Sequence, residues 1–126
     1  IQIRRIADVC KKYDAYLFVD STGIGDPIED ALVREDLNVE GYKFTQRSKK
    51  ALIELLMIAF EQKNIKILDE EVQKNELDIF EYKMNPSGTV HYSAPDGYHD
   101  DCVIALALAN WGLENMGGQS MEITVL

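Results

Sequence analysis

Apolar side chains recur at helical spacing over Ile3, Ile6, Ala7 and Cys10, so residues 1–13 are expected to form an amphipathic helix. The chain thus opens inside an element, as if an upstream part preceded it. Residues 15–20 (AYLFVD) are a continuous apolar run closed by an acid, which predicts a buried strand of a parallel pair. A loop with Gly23 and Gly25 follows. Asp26 and Pro27 then make a cap and first-turn pair for a helix to about residue 36, with Ile28, Leu32 and Val33 facing inward.

A second strand is expected over 39–44. A long helix capped by Thr45 or Ser48 then runs to about residue 63. Its apolar content, from Ala51 and Leu52 to Ala59 and Phe60, exceeds one stripe and predicts burial on more than one side. Residues 65–68 read as a short edge strand and 69–77 as an acidic amphipathic helix. Runs at 79–84 and 89–92 flank Asn85-Pro86-Ser87-Gly88, a hairpin signal. Pro95-Asp96-Gly97 is a turn that delivers the chain to His99-Asp100-Asp101. The apolar stretch CVIALALA then forms a last, buried helix to about residue 115. Residues 1–115 are expected to form one domain, and residues 116–126 a Gly-containing tail.

Alternation of strands and helices implies an α/β fold with right-handed crossovers. The length of 126 residues and the apolar fraction of 46% suffice for one core. No apolar run of membrane-spanning length occurs, and no partner membrane is expected. Cys10 and Cys102 have neither metal-type nor redox spacing and read as small reduced core residues.

The net charge of −9 argues against a general nucleic-acid binder. It leaves room for an acidic site whose charge is reversed by bound cations. Asp20 stands at the carboxyl end of a strand, where open α/β sheets bind ligands. Its two readings are a turn cap with Ser21 and Thr22, or a metal ligand. Asp100 and Asp101 precede a buried helix. One acid suffices for a cap, so the second is in excess. Three carboxylates from different elements are what hard cations such as Mg²⁺ or Mn²⁺ require, and two such ions hydrolyse phosphodiesters. Arg47, Lys49 and Lys50 crowd a helix N-terminus, an unfavourable place for cations unless they meet phosphate. His99 is a possible accessory contact. His91, in a hairpin strand, reads as a surface residue. No Walker lysine, dinucleotide fingerprint or catalytic triad is present.

These segments carry a resemblance. FVDSTGIGDPIEDAL, GYKFTQRSKKALIELLMIAFEQKNIKI and SAPDGYHDDCVIALALA stand in the order found in the C-terminal nuclease domain of the tailed-bacteriophage terminase large subunit. The chain resembles that family over nearly its whole length. The resemblance implies an RNase H-like, RuvC-like mixed sheet flanked by helices. It implies a divalent-metal-dependent endonuclease of viral DNA packaging, cutting by a two-metal mechanism with Mg²⁺ or Mn²⁺. Asp20 matches the second acidic position, Asp100 and Asp101 the third, and Lys49 or Lys50 the basic position at the start of the long helix.

The first acidic position of the family has no counterpart here, and the first strands of its fold are expected to be missing from it. The expectation is an N-terminally incomplete domain with weak or no cleavage by itself. Double-stranded DNA, an ATPase domain, the small terminase subunit and the portal are the implied partners, in the cytoplasm of the bacterial host. Two alternatives stand beside this reading. One is a non-catalytic docking domain of a packaging motor, and the other a resolvase- or transposase-type nuclease.

Overall fold

A computed structural model describes residues 2–22 and 27–116 of the chain. The chain divides between Thr45 and Gln46 into two compact units. The first holds α1 (Ile3–Tyr13), β1 (Tyr16–Asp20), α2 (Pro27–Arg34) and β2 (Asn38–Tyr42). The second holds α3 (Gln46–Glu61), α4 (Glu71–Ile79), β3 (Glu81–Met84), β4 (Val90–Ser93) and α5 (Asp101–Asn115).

In the first unit β1 and β2 pair in parallel, from Tyr16 opposite Asn38 to Asp20 opposite Tyr42. The connection through α2 makes this a β-α-β unit, as the continuous apolar run of β1 requires. α1 ends where Asp14 turns left-handed, at φ 49°, and closes its amide on Cys10 and Lys11. Ala7 and Cys10 of α1 and Leu32 of α2 are buried. The expectation of three inward side chains on α2 holds for Leu32 alone, since Ile28 and Val33 are 55% and 54% exposed. The helix is only eight residues long, and it packs on α1 and β2. Tyr16 to Val19 are half-buried rather than buried, because β1 has one ladder partner among the described residues. β2 stops at Tyr42, level with the end of β1, instead of running to residue 44.

The second unit is built on α3 packed against α5. Leu52, Ile53, Leu56 and Ala59 of α3 meet a core that includes Val103, Leu106, Ala107 and Leu108. Full burial of one Leu or Val contributes about 1.5–3 kcal/mol, so this seam anchors α5 firmly. The buried face of α3 is one stripe. Met57, Ile58 and Phe60 are exposed, contrary to the expectation of burial on several sides. Apolar content alone does not say how many faces find a partner.

α4 begins at Glu71, later than expected, because Glu70 stays outside as its cap and accepts from the amides of Val72 (3.3 Å) and Gln73 (2.9 Å). Its buried residues are polar, Gln73 and Glu76, while Val72 is exposed. Residues 65–68 form no strand: Lys66 interrupts the run and no ladder partner is present among the described residues.

β3 and β4 form the expected antiparallel hairpin, with Lys83 opposite His91. Gly88 takes φ 84° in its turn, which a side chain would strain. A second turn, closed by the Tyr98 amide on Pro95 oxygen at 3.0 Å with Gly97 at φ 84°, leads into α5. The mixed strand set thus takes the form of one parallel and one antiparallel pair. Cys10 and Cys102 are free. No helix among the described residues is long and apolar enough to cross a membrane. The expected Asp26 cap, the glycines at 23 and 25 and the tail beyond Met116 lie outside the described residues.

Candidate functional site

Asp20 ends β1, and its carboxylate is exposed. The ladder continues one step beyond it, where the Ser21 amide donates to Tyr42 oxygen at 3.0 Å. The chain then folds back. The Thr22 amide donates to Asp20 Oδ1 at 2.9 Å, and the Thr22 hydroxyl donates to the same oxygen. That hydroxyl accepts from the Phe44 amide at 3.0 Å, tying the turn to the chain leaving β2. The turn-cap reading of Asp20 is therefore realised. Both bonds fall on Oδ1. A carboxylate fixed through one oxygen presents the other in a set direction, which suits a ligand as well as a cap.

Gly41 makes this turn possible. A Cβ there would lie 2.6 Å from Ser21 Oγ, 2.7 Å from Ser21 Cβ and 2.8 Å from Glu29 Oε2. The segment after Asp20 therefore crosses β2 at a distance only glycine permits.

Asp100 occupies the cap position of α5 but makes no capping hydrogen bond with its side chain. Its Oδ2 instead lies 3.5 Å from Lys49 Nζ, with both side chains about one-third exposed at 28% and 32%. Asp101 is the first helical residue, and it is exposed. A carboxylate does serve the first turn of α5, but it comes from α4. Glu76 Oε1 accepts from the Cys102 amide at 3.2 Å, and Glu76 is buried. Its hydrogen bond to the Cys102 side chain is also the main reason that thiol is pushed up from 9.0 to about 11, with desolvation second. Cys102 is thus half-buried and hydrogen-bonded rather than a plain core residue.

The three cations at the start of α3 divide. Lys49 pairs with Asp100, and Lys50 pairs with Glu54 one turn on at 3.8 Å. Arg47 is exposed and makes no ion pair among the described residues. His99 is exposed and makes no polar contact among the described residues. His91 lies on the surface, as expected, with its Nε2 3.2 Å from Gln46 Nε2 and 2.8 Å from Asn85 Nδ2.

The second unit thus brings Asp100, Asp101 and Lys49 to one end of α5, and the first unit holds Asp20 in its turn. Within either unit, among the described residues, no three His, Cys, Asp or Glu side chains are close enough together to hold a metal. The candidate donors are all carboxylate oxygens, the chemistry hard divalent cations take. The Lys49 ammonium stands beside the Asp100 carboxylate.

The large subunit of the terminase of Thermus phage G20c is 29% identical over 124 residues, which is 97% of this chain and 26% of that protein. The large terminase nuclease of thermophilic phage G20c, solved with bound magnesium, superposes with a TM-score of 0.79 at 28% identity, over 87% of this chain and 59% of that one. The large terminase nuclease domain of Thermus phage P74-26 gives 0.80 at 26% identity, over 95% and 63%.

The chain is similar to large terminase nuclease domains. The α/β arrangement described above is accordingly the RNase H-like fold of these terminase nucleases. The chain spans about a quarter (26%) of the large terminase subunit it matches. No family model matches the sequence.

Sequence reasoning missed two residues that shape the surroundings of these candidate side chains. Glu76 carries no local signal, because its partner amide lies 26 residues away. Gly41 carried one: a glycine inside a strand pattern marks close approach of another segment.

Proposed function

We propose that this chain is the nuclease part of a DNA-packaging terminase and hydrolyses DNA phosphodiesters with divalent metal ions. The observation that carries the reading is the likeness over 97% of the chain to a terminase large subunit, together with a magnesium-bound nuclease among its structural neighbours. Asp20, Asp100 and Asp101 are the metal ligands in this reading, for two Mg²⁺ or Mn²⁺ ions. Bound cations of this kind activate water for attack and offset charge on the phosphodiester oxygens.

The chain's own residues do the rest. Thr22 orients the Asp20 carboxylate through the two bonds to Oδ1. Lys49, Lys50 and Arg47 contact DNA phosphate in this reading, and Lys49 would be free for the substrate where Asp100 held a metal. His99 remains an accessory contact to phosphate.

Residues 1–115 make up the nuclease domain and 116–126 a tail. Double-stranded DNA is the substrate. The ATPase domain, the small terminase subunit and the portal are its partners in the cytoplasm of the bacterial host.

A second reading, a docking domain without metal chemistry, draws on the exposed apolar side chains of Ile28 and Val33 on α2. Calorimetric titration with Mn²⁺ separates the two. Saturable binding that is lost in Asp101→Asn supports the nuclease reading. Heat indistinguishable from dilution in the native sequence supports the docking reading.

A further inference from the structure

Glu76 stands apart from the groups considered so far. It is a carboxylate with 7% of its surface exposed, on a helix whose buried residues are polar. Glu70 fixes the start of that helix by accepting from the amides of Val72 and Gln73, so α4 presents Glu76 from a held first turn. Its Oε1 takes the Cys102 amide, one of the first-turn donors of α5 that have no partner within the helix. Asp100, in the position where an acid ordinarily takes such a donor, makes no capping bond and turns its carboxylate to Lys49.

We infer that Glu76 is a positioning residue for the metal site: by capping α5 from α4 it sets the first turn and leaves both Asp100 and Asp101 for cations. The inference rests on the reading of those two residues as metal ligands. Without Glu76 the Cys102 amide would draw a nearby carboxylate, and Asp100 is the acid placed to answer. One oxygen would then be committed to the helix rather than to a cation.

Reach and charge can be separated by substitution. Glu76→Asp keeps the charge and withdraws the oxygen from the Cys102 amide by one methylene. Glu76→Gln keeps an acceptor oxygen at the same reach and removes the charge. Mn²⁺ affinity by calorimetry, corrected for the folded fraction from urea unfolding of each variant, reads the result. The expected outcome is about tenfold weaker binding in Glu76→Asp, in line with the effect of outer-shell partners on metal affinity, and near-native binding in Glu76→Gln.

Weakening in Glu76→Gln with native affinity in Glu76→Asp would make Glu76 a source of field rather than position and overturn the inference. So would native affinity in both variants, even with reduced stability. If the unsubstituted chain binds no Mn²⁺, the metal-ligand reading itself fails and the positioning role fails with it, an outcome distinct from either of those.

Discussion

Lys49 Nζ and Asp100 Oδ2 stand 3.5 Å apart, joining the first turn of α3 to the first residue before α5. A cation at a helix N-terminus is unfavourable by itself. Here the acid of a second helix offsets the cost, and α3 and α5 share a core seam that keeps the two ends together. The pair is partly solvated, so its own contribution is less than about 1 kcal/mol. Its interest lies in what competes for each partner.

Lys49→Met therefore has two effects of opposite sign. Asp100 loses its standing cation, and Mn²⁺ affinity rises by roughly two- to fivefold, the range that a pair worth under about 1 kcal/mol allows. Contact with DNA phosphate is lost, so the slope of log affinity against log salt becomes shallower by about 1. Calorimetry with Mn²⁺ and a salt series of DNA binding measure the two effects. A variant in which both quantities stay native leaves Lys49 a surface residue.

Gly41→Ala tests the turn that holds Asp20. The added methyl would meet Ser21 Oγ and Cβ at 2.6 and 2.7 Å, and the second of these is not the free end of a flexible chain. The strand or the turn must shift, at a cost of about 1–3 kcal/mol, the usual range for overpacking. Urea unfolding gives the loss. Ser21→Gly added to Gly41→Ala should recover part of it, since the nearest obstruction is then gone.

The thiol and phenol groups predict a loss of stability at alkaline pH. Cys102 is raised from 9.0 to about 11, chiefly by its hydrogen bond to Glu76. Cys10 is raised by burial, and Tyr92 by burial and then by Glu54 and Tyr82. A group that holds its proton more tightly when folded stabilises the fold fully below its unfolded value. For Cys102 that contribution is intact below pH 9.0 and disappears as pH rises through about 11. Unfolding curves at pH 8 and pH 10.5 should show the decline. Cys102→Ala should decline less over the same interval, and an equal decline would remove the thiol from the account.

How much of this was legible in the sequence follows from the range of each interaction. The apolar run of β1 and the alternate runs around Asn85-Pro86-Ser87-Gly88 declare themselves locally, and both strand pairs form. The apolar stretch of α5 declares its burial through composition alone. The boundary of α4 was hidden because glutamate is not a favoured cap, yet Glu70 takes two amides. The single buried stripe of α3 was hidden because partner number is a tertiary property.

Of the candidate residues, Asp20, Asp100 and Asp101 could be singled out by their places at a strand end and a helix start. Neither the Lys49 bond of Asp100 nor the Glu76 cap could be read there. Each joins residues on different helices, and the second spans 26 positions.

The central claim is that Asp20, Asp100 and Asp101 bind divalent cations. Substoichiometric Mn²⁺ added to the ¹⁵N-labelled chain tests it most directly, because paramagnetic broadening marks the residues nearest the ion. The account predicts selective loss of the amide signals around Asp20 to Thr22 and around Asp100 to Cys102, reversed by chelator and absent in Asp101→Asn. Broadening at only one of these two places, or spread evenly over the acidic surface, would contradict it.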